Sequence, residues 1–281
     1  MNKTKCLVLG SSGQIGAHLV NFLQRNNCDV FEFDILNSDQ QDLRILNNPY
    51  LEEKIKECDF IYFLAFDVGG ARYLKSNQNN FDFIHNNFKI MCFTFEMLKK
   101  YNKPFLFTST QMSSMEHSSY GTLKRLGEYY TKSLDGLIVR LWNVYGLESN
   151  PDKSHVITDF INKALSTKKI DVITDGNEER QFLWVDDCCN GLFKLQTIYN
   201  DIDRTKEYHI SSFEWSSIKN IANIISEIIP CEITYGTQTD DIQKNLKNNP
   251  NHEILKYWKP TTSLKCGITQ LINYYKVKQN V

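Results

Sequence analysis

The 281-residue sequence has no excess of charge of either sign: 32 Lys and Arg stand against 33 Asp and Glu, a formal net charge of −1 at pH 7. Its lysines are dispersed, with no basic block and no acidic tail, which excludes nucleic acid or an anionic membrane as the main partner. No apolar run approaches the roughly 20 residues needed to cross a bilayer. The chain runs from Met1-Asn2-Lys3-Thr4-Lys5 straight into the strand-like Cys6-Leu7-Val8-Leu9, leaving no room for a signal peptide, so a cytoplasmic location is expected. None of the eight cysteines stands in a Cys-x-x-Cys pair. A zinc ribbon or disulfide framework is thereby disfavoured, no metal site is expected, and the thiols read as small buried hydrophobes. There are no internal repeats and no low-complexity linker. What remains is an ordinary globular composition, long enough to bury a substantial core in one large or two small domains.

Within it, the first strand ends in Gly10-Ser11-Ser12-Gly13-Gln14-Ile15-Gly16, and a helix over 17–25 follows with Leu19, Val20, Phe22 and Leu23 as its apolar residues. Glycines let a backbone turn tightly and approach a pyrophosphate, whose charge the free N–H groups of the helix start can meet. The spacing is Gly-x-x-Gly-x-x-Gly, and a glycine-rich turn alone is weak evidence. A second strand gives it direction: Val30-Phe31-Glu32-Phe33-Asp34 ends in an acid about 20 residues beyond the glycines, where a carboxylate binds the adenosine ribose hydroxyls. A 2′-phosphate would be repelled there and no arginine adjoins Asp34, which argues for NAD over NADP. Asp42, before Leu43, is either an adenine contact or a helix cap.

The strand over 59–65 is apolar nearly throughout, as a parallel strand covered on both faces must be. It ends at Leu64 and Ala65 and empties into Phe66-Asp67-Val68-Gly69-Gly70, at the carboxyl end where doubly wound sheets bind ligands. A long helix over 81–101 has Phe88, Met91, Cys92, Phe95 and Leu98 on its packing side, and its His85 reads as structural. The strand over 104–107 delivers Thr108-Ser109-Thr110-Gln111-Met112. A helix carrying Tyr120 follows, then a strand over 137–141 that ends in Trp142-Asn143-Val144. Alternating strands and helices imply an α/β fold of Rossmann type, a doubly wound parallel sheet with right-handed crossovers. After Gly146 the rhythm breaks. Helices are expected over 156–165, 188–199, 216–229 and 263–275, with a strand-like stretch over 179–187. The predicted division is a cofactor domain over 1–146, with segments near 181–211 returning to it, and a smaller mixed α/β substrate lobe over 147–281.

Tyr120-x-x-x-Lys124 puts a phenol and an ammonium one helical turn apart on one face. The cation favours phenolate, so the tyrosine could take a proton near neutral pH, and Thr110 at a strand end could complete a triad for oxidising an alcohol. By itself the pair is common on solvated helices.

Taken in order, these fragments, with Asn87, Arg140-x-x-Asn143-Val144-Tyr145-Gly146, Arg180-x-Phe182, Val185-Asp186-Asp187 and Trp258-x-Pro260, resemble the extended short-chain dehydrogenase/reductase superfamily in its NAD-dependent nucleotide-sugar epimerase/dehydratase branch. The resemblance implies Tyr120 as base at the sugar C4 hydroxyl, Thr110 as its hydrogen-bonding partner, and Lys124 on the nicotinamide ribose, lowering the tyrosine pKa. It implies NAD contacts from Gly10, Ser12, Gly13, Gln14, Ile15, Gly16, Asp34, Ile35, Asp42, Leu43, Leu64, Ala65, Phe66, Thr108, Tyr120, Lys124, Asn143 and Val144. Substrate contacts would come from Val68, Gly69, Gly70, Gln111, Met112, Asn143, His155 and Val156, with Arg180 near the phosphates. A homodimer is implied, joined through the helices over 81–101 and 120–134.

Two departures refine the chemistry. Sugar 4,6-dehydratases of this branch carry Asp-Glu after the active threonine; here Gln111-Met112 offers no proton-exchanging group, which disfavours dehydration. Phe66-Asp67-Val68-Gly69-Gly70 and Asn86-Asn87 are similar to segments of GDP-mannose 3,5-epimerases, which favours a GDP-linked sugar. That family's acid/base cysteine falls at Met112 and its lysine near His155. The leading expectation is hydride exchange between C4 and NAD, as a 4-epimerase or a net oxidoreductase. The alternatives are a 3,5-epimerase-like isomerase using His155, and a non-catalytic NAD-sensing or scaffolding protein.

Overall fold

The computed structural model describes residues 3–148, 150–243 and 248–279. The first half alternates β1 (Lys5–Leu9), α1 (Gln14–Arg25), β2 (Asp29–Phe33), α2 (Pro49–Glu57), β3 (Phe60–Phe63), α3 (Ala71–Asn77), α4 (Phe81–Tyr101), β4 (Phe105–Thr110), α5 (Ser119–Ser133) and β5 (Leu137–Leu141). Then come β6 (Asn143–Tyr145), α6 (Val156–Ser166), β7 (Lys169–Thr174), β8 (Glu179–Trp184), α7 (Val185–Thr197), β9 (Glu207–Ile210), β10 (Trp215–Ser217), α8 (Ile218–Ile228), β11 (Glu232–Gln238) and α9 (Leu264–Gln279).

Six strands form a parallel sheet in the order β2-β1-β3-β4-β5-β9. Strand alternation sorts its side chains onto two cores. Leu7, Leu9, Ile61, Phe63, Phe105 and Phe107 face Met91, Phe95 and Leu98 of α4, while Cys6, Val8, Tyr62, Leu106 and Val139 face Leu19 and Leu23 of α1 and Leu192 and Leu195 of α7. Burial on both faces is why these strands read as unbroken apolar runs. β2 and β3 flank β1 on opposite sides, so the chain reverses direction across the sheet at β1, and the crevice beyond the ends of β1 and β3 is where such sheets bind ligands.

β6 leaves the main sheet to pair with β8, which also carries β10, while β7 and β11 form a separate parallel pair. Several elements differ from the sequence expectation. Residues 215–217 are an edge strand held by β8, and α8 starts only where the Ser217 hydroxyl caps the Asn220 N–H at 3.1 Å. The stretch over 179–187 changes from strand to helix at Val185. Helix α2, which no periodicity announced, is set by its start: the Asn48 side chain accepts from the Tyr50 and Leu51 N–H groups at 2.9 and 3.2 Å, and Pro49 follows it. The eight cysteines are free and five are buried. Among the described residues no helix is long and apolar enough to cross a membrane.

Candidate active site

At the end of β1, Gly10 has φ +86, and a Cβ there would lie 2.8 Å from the Ala65 backbone at the end of β3. A Cβ on Gly16 would overlap the Gly10 carbonyl oxygen. Only glycine meets both demands. Helix α1 then starts on Gly13 with no side-chain cap and no acid in its first turn, so its first N–H groups are available to an anion. Asp34 stands over this turn: its carboxylate accepts from the Ser12 N–H and the Leu36 N–H, each at 3.0 Å. Asp42 lines the cavity and starts no helix; its carboxylate accepts the Arg44 N–H at 2.8 Å and is forked by the Arg44 guanidinium at 2.9 and 2.8 Å. An arginine therefore does line the cavity near Asp34, closed onto its own acid.

Helix α5 is fixed against β4. The Ser118 hydroxyl accepts the Gly121 N–H at 3.0 Å, and a Cβ on Gly121 would overlap the Met112 carbonyl oxygen, so the helix start presses on the turn carrying Gln111 and Met112. This aims Tyr120 and Lys124 at the ends of β3 and β4. The Tyr120 ring packs edge-on to Phe66 at 5.6 Å. The Lys124 ammonium donates to the Thr108 carbonyl at 2.7 Å and lies 4.1 Å from the Phe66 ring centre and 4.8 Å from that of Phe107. The Thr108 hydroxyl ties β4 to the Phe63 carbonyl at 3.1 Å.

Burial pushes the Tyr120 phenol up to about 12, with a hydrogen bond to Thr110 opposing it. Burial likewise pushes Lys124 down to about 7, against the charge of Glu128.

The other arm of the cavity is built from loops that interlock. A Cβ on Gly70 would overlap the Ser154 carbonyl oxygen, and one on Gly69 would lie 3.0 Å from the Lys153 Cβ, so Val68-Gly69-Gly70 lies flat against the segment leading to α6. Asn87 holds the Asp67 main chain on both sides, accepting its N–H at 2.7 Å and donating to its carbonyl at 3.0 Å. Lys153 donates to the Asp67 carboxylate at 2.6 Å. His155 Nδ1 meets the Glu148 carboxylate at 2.5 Å, and its N–H donates to the other oxygen of Glu148 at 3.0 Å; Val156 opens α6 beside it. Arg180 of β8 is buried and paired with Asp240. Gln111 and Asn143 are bridged by Gln243, which accepts from Gln111 at 3.1 Å and donates to Asn143 at 3.2 Å. Met112 is buried in the apolar cluster with Met115 and Ile242, and its surface still reaches the cavity.

One cavity of about 850 Å³ collects every residue assigned from the sequence to catalysis, cofactor or substrate. It also holds Glu148, Lys153, Asp240 and Gln243, which the sequence reading did not single out as site residues, because they are brought in by loops with no periodic pattern. The glycine turn under Asp34, the strand order and the Tyr120 and Lys124 pair together define a class: dinucleotide-dependent α/β oxidoreductases.

The comparisons narrow it. The chain belongs to the NAD dependent epimerase/dehydratase family, whose model matches residues 6–211, and NAD is its cofactor. It is 23% identical to UDP-glucuronic acid decarboxylase 4 of Arabidopsis thaliana, over 97% of this chain and 68% of that protein. Its fold matches UDP-glucuronic acid 4-epimerase from Bacillus cereus, solved with UDP-glucuronic acid and NAD, at a TM-score of 0.83 and 21% identity over 98% of this chain and 100% of the other. It also matches a GDP-6-OMe-4-keto-L-xylo-heptose reductase from C. jejuni at a TM-score of 0.82 and 18% identity, over 99% of both chains. The residues present fit NAD: an open helix start and glycine turn suit a pyrophosphate, and the fixed Asp34 carboxylate suits a ribose diol.

Proposed function

We propose that this chain catalyses redox chemistry at C4 of a nucleotide-diphosphate sugar, with residues 1–146 holding the cofactor and 147–281 mainly the nucleotide. The observation that carries this reading is the convergence of Thr110, Tyr120 and Lys124 at the junction of the two arms of one cavity. Bound in the glycine turn, NAD supplies the acceptor for the hydrogen on the carbinol carbon. Tyr120 takes the hydroxyl proton, and Thr110 holds the same oxygen. A phenol that the protein alone keeps near 12 needs positive charge beside it to act at neutral pH, and Lys124 in its ammonium form is the chain's own source. Neither Gln111 nor Met112 can act as an acid or base near neutral pH, which supports 4-epimerisation or net oxidation or reduction over dehydration. The Val68-Gly69-Gly70 resemblance supports a GDP-linked sugar.

The Glu148 and His155 pair favours a second reading, in which an imidazole oriented by a carboxylate moves a proton at another sugar carbon, as in a 3,5-epimerase. Exposed Phe81, Phe88 and Tyr129 on α4 and α5 support a homodimer; light scattering that finds only monomer removes that assignment. The deciding experiment adds UDP-, GDP-, dTDP- and CDP-sugars one at a time to the NAD-loaded protein, following reduced cofactor by absorbance and the sugar by NMR. Lasting reduced cofactor with a ketosugar identifies a dehydrogenase. Exchanged configuration without net reduction identifies an epimerase. No change with any sugar while NAD stays bound favours the non-catalytic alternative.

A further inference from the structure

Tyr120, Lys124 and Glu128 follow one another at i, i+4 and i+8 on α5, so all three face the sheet. Glu128 is 6% exposed. It accepts from the Ser109 hydroxyl at 2.5 Å, from Arg140 Nε at 2.7 Å and from Arg140 Nη2 at 2.8 Å. It thus bolts the catalytic helix to β4, between Thr108 and Thr110, and to β5. Arg140 is shared: it also meets Glu207 of β9 at 2.7 Å, with His209 3.6 Å beyond. Arg125 also acts on this cluster, so Glu128 and Glu207 face two guanidiniums, and Glu128 is the carboxylate one turn from Lys124 on α5.

We propose that Glu128 is a positioning residue for the reaction, acting through Lys124: its carboxylate, fixed by Ser109 and Arg140, keeps the neighbouring lysine cationic in an otherwise aromatic pocket. This rests on Tyr120 and Lys124 being the reacting pair of the C4 reading. The groups around Lys124 leave little else for that role. Tyr120 and Glu128 share its helix, β4 presents Thr108 and Ser109, and the β3 end presents Phe66; across the cavity Asp67 is paired with Lys153. Burial is the larger influence on Lys124, and Glu128 is the charge that opposes it.

The test follows Lys124 directly, by NMR titration of isotope-labelled lysine side chains, assigned with Lys124→Met. In Glu128→Gln the lysine titration midpoint is expected to fall by about one pH unit, about a tenfold loss of the ammonium-to-amine ratio. At neutral pH kcat should fall severalfold with KM for the sugar nearly constant. Glu128→Asp should restore both. Arg140→Gln, which leaves both carboxylates, should raise the midpoint, so a poorly folding Glu128→Gln still leaves a test of opposite sign. A residue that merely braces the helix would lower the melting temperature without moving the lysine titration, and an unmoved midpoint in folded Glu128→Gln or Arg140→Gln overturns the proposal. The titration needs no substrate: a shifted midpoint in a protein that turns over no sugar defeats the C4 reading, and with it the positioning role, and leaves only the charge coupling of Glu128 to Lys124.

Discussion

Replacing Lys124 by methionine should stabilise the protein at acidic pH, and the gain should vanish as pH rises. The ordinary ammonium titrates at 10.5 and this one at about 7, a difference of roughly 5 kcal/mol in protonation free energy. Below pH 7 both folded and unfolded chains carry the charge, and the folded one bears the whole cost of desolvating it. Between about 7 and 10.5 the unfolded chain keeps the proton that the folded chain releases, so the unfolded state binds more protons and stability rises with pH. Methionine has nearly the same length and no charge. It also leaves the Thr108 carbonyl without its donor, at a cost of about 1–2 kcal/mol. The net expectation is a variant about 3 kcal/mol more stable than wild type at pH 6, and equal or slightly less stable at pH 10. Urea denaturation followed by far-ultraviolet circular dichroism at intervals from pH 6 to pH 10 reads this difference directly. Tyr120 is common to both proteins and cancels. A difference that stays flat across this range refutes the claim that burial governs Lys124.

Tyr120→Phe should cut turnover on the true substrate by about 10²–10⁴, the range for losing a general base; intact turnover would rule out the proposed role. Gly16→Ala must force its methyl into the Gly10 carbonyl, so NAD affinity measured by fluorescence quenching should fall by at least about 100-fold in folded protein, the equivalent of roughly 3 kcal/mol. Retained affinity would show that the turn can relax. His155→Asn should raise KM for the sugar with little change in kcat if His155 only binds substrate. Solvent deuterium entering the sugar carbons with wild type but not with this variant would instead establish the second, 3,5-epimerase-like reading.

The parts of this architecture that were legible in the sequence are those whose constraints are local. β1, β3 and β4 announce themselves because strands buried on both faces need unbroken apolar runs, and the first turn does so because Gly10 and Gly16 have no room for a side chain. The Tyr120 and Lys124 spacing is equally local. What was illegible depends on distant segments meeting: Lys153 with Asp67 across 86 residues, Arg180 with Asp240 across 60, Gln111 with Gln243 across 132. No periodicity encodes such pairs. Residues 216 and 217 were absorbed into a helix because their edge pairing is supplied by β8, well upstream. The burial of Tyr120 was not legible for a related reason: spacing shows that a cation is near, whereas burial is a property of the assembled core.

The way this site distributes charge explains why the lysine of the pair is kept apart from acids. In the rest of the cavity the cations are closed onto carboxylates in direct contact, as Arg44 with Asp42, Arg72 with Asp159, Lys153 with Asp67 and Arg180 with Asp240. Such pairs are locally neutral and exert little field on a neighbour. Lys124, among the described residues, touches a carbonyl and two aromatic rings instead. A carboxylate in contact would fix its proton more firmly and cancel the positive field that a developing phenolate on Tyr120 requires. Aromatic faces and a carbonyl stabilise an ammonium without cancelling its charge. Set one turn further along α5 and gripped by Arg140, Glu128 can support protonation of Lys124 without an ion-pair contact to it. The depressed pKa of the lysine is then the cost of leaving its field unshielded where the proton moves.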